Sequence, residues 1–150
     1  MSVVIYKDGV MAADSRAYSG SSHPVGGKQK IHRMKDGSLL GVCSNSVGMP
    51  ENLREWIEAG EDKGGWALEN PVFEAIRVMP SGEVFFYNDC YGKTGPLEGD
   101  VFTIGSGRKY ALGAIRAGAD IYEAVQVAIE CDVWCSGPTR TLSLNEETNV

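Results

Sequence analysis

The sequence has 150 residues, 43% of them hydrophobic and 23% charged, with a formal net charge of −6. This length suits one domain with a real core, and the balance excludes a disordered chain. No stretch approaches the ~18 consecutive apolar residues of a membrane span, and the acidic balance argues against a nucleic-acid partner, which needs a basic face.

VVIY and VMAA flank Lys7, Asp8 and Gly9, and an Asp-Gly pair between apolar runs predicts a β-hairpin. In that hairpin Lys7 pairs with Val10, Tyr6 with Met11, Val3 with Asp14 and Ser2 with Ser15. Lys7 and Asp8 also break any early apolar run, so no secretory leader is expected and the chain is placed in the cytoplasm. SGSSHPVGG reads as an irregular loop. KIHRM and SLLGVCS read as a second hairpin turning at Lys35, Asp36 and Gly37. The nearby cations Lys28, Lys30, His32, Arg33 and Lys35 read as a solvated strand edge, with one functional lysine among them. PENLREWIEAG predicts a helix: Pro50 suits its first turn, Leu53, Trp56 and Ile57 share a face, and Gly60 closes it. EDKGGWALEN reads as loop.

FEAIRV and EVFFYND form a third hairpin around Met79, Pro80, Ser81 and Gly82. VFTIGSG is a strand entering a glycine turn, followed by a helix in RKYALGAIRAG. Asp120 and Glu123 have the spacing of an N-cap and its capping-box partner, opening a helix that places Ala124, Val125, Ala128 and Ile129 on one face. TRTLSL is a last strand, with a frayed tail from about residue 145. Alternating βαβ units are missing from this order, which favours antiparallel sheets covered by helices over a doubly wound parallel sheet.

Two motifs invite chemistry and are set aside. IGSGRKYA has a GxG turn between strand and helix, but Tyr110 stands where a dinucleotide fingerprint needs Gly or Ala, and the small Ala111 comes one position late. Cys43, Cys90, Cys131 and Cys135 form no CxxC pair, and with only two His residues they read as reduced hydrophobes rather than a zinc site.

AADSRA after a hairpin, Lys30-Ile31 one strand later, LLGVCS, and then IGSGRKYALGAIRAG resemble, in order and spacing, the proteasome β-subunit family that includes the bacterial HslV peptidase. The resemblance spans Val3 to Leu144. It implies an α+β fold, the N-terminal-nucleophile αββα sandwich of two antiparallel sheets between helical layers, as one domain over 1–150. It also implies a peptidase or related amide hydrolase, with an N-terminal nucleophile whose own α-amine is the base, acting on an extended peptide. No metal or organic cofactor is implied, and homo-oligomeric assembly, a ring in the family, is expected.

Carried onto this sequence, the resemblance assigns Asp14, Lys30, Ser106 and Asp132 to the catalytic group, with Arg16 and, one residue out of step, Ser136 in support. The family's threonine has no counterpart. Ser2, freed by removal of Met1, is the candidate nucleophile, and the backbone N–H of Asn45 is the candidate oxyanion donor, where relatives carry small residues. EDKGGWALEN replaces a full second helix, which argues against docking of the family's unfoldase ATPase. Each assignment has a plainer counterpart: Asp14 paired only to neutralise buried charge, Ser106 a helix cap, and the whole chain an inactive homologue kept as an assembly or binding protein.

Overall fold

The computed structural model describes residues 2–17, 25–46, 48–61 and 72–145. The loop predicted over SGSSHPVGG, all but Glu61 of EDKGGWALEN, and the tail beyond Asn145 therefore lie largely outside the described residues.

The first hairpin pairs β1 (Val4–Lys7) with β2 (Val10–Ala13). Its register is Lys7 to Val10, Tyr6 to Met11, Ile5 to Ala12 and Val4 to Ala13. Asp8 and Gly9 both take positive φ (49° and 81°), the combination that lets a two-residue turn follow the twist of its strands. The ladder bonding ends where the Asp14 N–H donates to Val3 O at 3.3 Å. Beyond it the two strands part: Ser15 N–H turns to Ser136 O, and Ser2 O accepts from Gly107 N–H.

A second hairpin joins β3 (Ile31–Arg33) to β4 (Leu39–Ser44). α1 (Met49–Glu58) follows, with Pro50 in its first turn. β5 (Phe73–Val78) and β6 (Val84–Asn88) form the third hairpin, and a short edge strand, β7 (Gly92–Thr94), pairs with β6. The sequence gives no cue for β7, because its three exposed residues carry no apolar alternation. β8 (Val101–Ile104), α2 (Arg108–Arg116), α3 (Ile121–Cys131) and β9 (Arg140–Ser143) complete the chain. The α3 cap is made as the spacing predicts, with Glu123 N–H donating to Asp120 Oδ1 at 2.8 Å.

All pairings are antiparallel: one sheet runs β8-β1-β2-β9 and the other β3-β4-β5-β6-β7. Strand alternation sorts the apolar side chains into three cores. Val4, Tyr6, Met11, Ile31, Leu39, Ile76 and Val78 meet between the sheets. Ile5 and Ala12, on the opposite face of the first sheet, pack on Ala111, Ile115, Ala124, Val125 and Ala128 of α2 and α3. Leu40, Val42, Phe73 and Ala75, on the outer face of the second, pack on Leu53, Trp56 and Ile57 of α1. The layers are thus α2/α3, sheet, sheet, α1: an α+β sandwich. No helix among the described residues is long and apolar enough to cross a membrane.

Candidate active site

The open end of the first hairpin brings the start of β1 beside the residue after β2. Ser2 is 2% exposed, Asp14 0% and Lys30 7%. Lys30 Nζ donates to Ser2 Oγ at 2.8 Å and to Asp14 Oδ1 and Oδ2 at 3.0 and 3.1 Å. An ammonium has three N–H donors, and here all three have acceptors. Lys30 is held in turn by its carbonyl, which accepts from Val42 N–H of β4.

Asp14 is the hub. Oδ1 also accepts from Val3 N–H at 3.1 Å, and Oδ2 accepts from the N–H groups of Arg16 and Ser136, both at 3.2 Å. A carboxylate withdrawn from water is tolerated only when its charge is paired and its lone pairs are occupied, and both conditions hold. Because the N–H donors come from the residue before β1, the segment after β2 and the segment before β9, the charge also gathers three parts of the chain around Ser2.

The main chain of Ser2 is gripped by the turn between β8 and α2. Its nitrogen lies 3.2 Å from Ser106 Oγ, and its carbonyl accepts from Gly107 N–H at 3.0 Å. Gly105 has φ +94°, and a Cβ there would collide with the Ser2 carbonyl, so this close approach requires glycine. Ser106 is not the helix cap: Gly107 holds that position in α2, without a side-chain bond.

Asp132 caps the C-terminus of α3 and reaches the same turn. Burial pushes its carboxyl upward, but hydrogen bonds from the Ser106 hydroxyl, the Trp134 N–H and the Cys135 thiol outweigh this and hold it below the ordinary aspartate value. A charged Asp132 orients Ser106, which faces the Ser2 nitrogen. Ser136 joins through its main chain, donating to Asp14 and accepting from Ser15. Its neighbour Cys135, not Ser136, adds a side chain to Asp132 beside the Ser106 hydroxyl, with Sγ 3.5 Å from Oδ2.

Sequence reasoning passed over Cys135 and the glycines. The DVWCS segment places a polar hydrogen three residues beyond Asp132, and that spacing was the available cue. Burial drives the Cys135 thiol well above its ordinary value. Cys43, whose sulfur borders Gly105, is pushed up to about 12 by burial, with the Lys30 charge opposing. Since thiolate is the reactive form, burial favours the unreactive thiol form of both. Asn45 stands exposed just past the end of β4.

No family model matches the sequence, and no curated protein matches it. Solved structures do. The BPH protein of Thiobacillus denitrificans, solved in complex with epoxomicin, superimposes with a TM-score of 0.69 at 18% identity, over 97% of this chain and 99% of that one. The eukaryotic HslV of Trypanosoma brucei superimposes with a TM-score of 0.65 at 17% identity, over 95% of this chain and 98% of that one. Across nearly its whole length, then, the chain has the fold of these two proteins, the αββα sandwich expected from AADSRA, Lys30 and IGSGRK.

Proposed function

We propose that the protein is an amide hydrolase of the HslV type, a peptidase with Ser2 as its N-terminal nucleophile once Met1 is removed. The observation that carries this reading is the buried Lys30 ammonium 2.8 Å from Ser2 Oγ, fixed there by Asp14. A structural ion pair needs only its two partners, whereas here the cation also faces a hydroxyl.

The freed α-amine of Ser2, with an unperturbed pKa of roughly 7.7–8.0, accepts the hydroxyl proton at neutral pH. Oγ attacks the substrate carbonyl carbon while Lys30 stabilises the negative charge on the attacking oxygen, and the Asn45 N–H stabilises the oxyanion. The protonated α-amine then gives that proton to the leaving nitrogen as the C–N bond breaks, leaving an ester on Ser2 and the amine free again. Water, deprotonated by the same amine, hydrolyses that ester. Ser106 and Asp132 orient the amine, and Arg16, Ser136 and Cys135 support the carboxylates. The substrate is an extended peptide, paired along a strand edge, and assembly into a homo-oligomer belongs to the same proposal.

Intact mass spectrometry on untagged protein, before and after a β-lactone acylating probe, tests this. The expected result is loss of Met1 and one probe adduct, abolished in Ser2→Ala and reduced in Lys30→Ala. Full retention of Met1 with no adduct would leave a non-catalytic assembly protein on this fold.

A further inference from the structure

We infer that Glu74, a residue outside the group assigned above, is a positioning residue for Ser2: its carboxylate holds the Gly105–Gly107 turn against the nucleophile from the opposite sheet. The inference rests on the Ser2-nucleophile reading for its catalytic consequence and on geometry alone for the clamp.

Glu74 lies in β5 of the second sheet, opposite Cys43 of β4. Its Oε1 accepts from Gly105 N–H at 3.3 Å, and its carboxylate faces Arg108 Nη1 at 3.2 and 3.4 Å. Gly105 is the first residue of the turn and Arg108 the first of α2, so one side chain ties down both ends of the segment. Between them sit the two groups that grip Ser2: Ser106 Oγ at its nitrogen and Gly107 N–H at its carbonyl. On the other side, Lys30 reaches from the second sheet's hairpin to Ser2 and Asp14. The nucleophile is therefore fixed by two polar links between the sheets, one bearing on its hydroxyl and one on its backbone.

The two bonds of Glu74 differ in weight. The Arg108 pair is half exposed (side-chain exposure 50% and 33%), and such pairs contribute little. The Gly105 N–H bond lies at the turn itself, where a lost acceptor shifts the backbone. An amide in place of the carboxylate retains an acceptor for Gly105, so Glu74→Gln should restore what Glu74→Ala loses, and Arg108→Ala should resemble Gln.

The test combines amide hydrogen exchange by NMR with acylation kinetics on the β-lactone probe, in wild type, Glu74→Ala, Glu74→Gln and Arg108→Ala. In Glu74→Ala the Gly107 amide should exchange about tenfold faster while the β1–β2 amides keep their rates, the scale of one misplaced hydrogen bond. The maximal acylation rate should fall by about the same factor, with the half-saturating probe concentration unchanged and Gln within a few-fold of wild type. An unchanged Gly107 rate, acceleration shared equally by β1–β2, Gln as impaired as Ala, or Glu74→Ala labelled at the wild-type rate would each overturn the inference. A wild type that takes no adduct yet shows the expected exchange pattern would establish the clamp and sink the nucleophile reading instead.

Discussion

Around Asp14, burial turns each polar contact into a requirement. Lys30→Met keeps much of the side-chain volume but removes the cation, leaving a fully buried carboxylate with backbone donors only. Breaking one half of a buried pair costs ~3–5 kcal/mol, so we expect a loss of that size in urea unfolding together with reduced probe labelling. A variant as stable as wild type would contradict a buried Asp14 carboxylate that depends on the Lys30 charge. The meeting of Asp14 and Lys30 was legible in the sequence because AADSRA and Lys30-Ile31 have a recognisable spacing. Gly105 and Glu74 were not: each acts on a partner far away in the chain (Glu74 and Gly105 are 31 residues apart), and no local pattern marks such a pair.

At the scale of elements, turns and alternation do the specifying. Asp8-Gly9 fixes the register of β1 on β2, and that register sets which of Val4 and Ile5 enters the inter-sheet core. β4 shows what alternation alone cannot reveal. Gly41 faces the same core as Leu39 and Cys43, and a Cβ there would stand 2.5 Å from Val4 Cγ1 and 3.1 Å from Met11 Sδ. The gap between the sheets is closed at this point by a missing side chain. Gly41→Ala should therefore destabilise by ~1–3 kcal/mol, the usual range for overpacking, read as a lower urea midpoint with unchanged slope. Pairing it with Val4→Ala should recover part of the loss, because the clashing methyl is removed; additive losses would contradict the close approach.

The whole molecule has a predictable stability profile. Asp36, Glu51 and Asp132 are held below the ordinary carboxyl range: burial opposes ionisation, but Ser38 and Arg77, Lys28, and the Ser106 and Trp134 donors, respectively, outweigh it. A depressed carboxyl contributes stability that is fully present above its unfolded pKa, roughly 3.9–4.3, and lost as pH falls through the lower folded value. Burial lowers His32, with the Arg54 charge adding to it, so its loss begins as pH falls through roughly 6.5. At the other end, burial raises Tyr6, Tyr91, Tyr87 and Cys43. A raised acid stabilises only while it stays protonated, so stability declines as pH passes the unfolded values of roughly 8.5 for Cys and 10 for Tyr. Thermal melts from pH 2 to 11 should trace a dome with a neutral plateau. A melting temperature flat from pH 7 to 11 would show that these phenols and the thiol are solvated.

By itself the sequence determined the three hairpins, the helices and the antiparallel α+β class, because turn residues and apolar periodicity act within a few positions. It also determined which charged residues gather around Ser2, through a resemblance carried by short motifs. Only the tertiary structure decided that Lys30 and Glu74 of one sheet bear on opposite sides of a serine in the other, and that Gly105 and Gly41 sit where no Cβ fits. The physical reason is that two stacked sheets meet through side chains distant in sequence, and the spacing between layers is set by packing volume, a property of the assembled core.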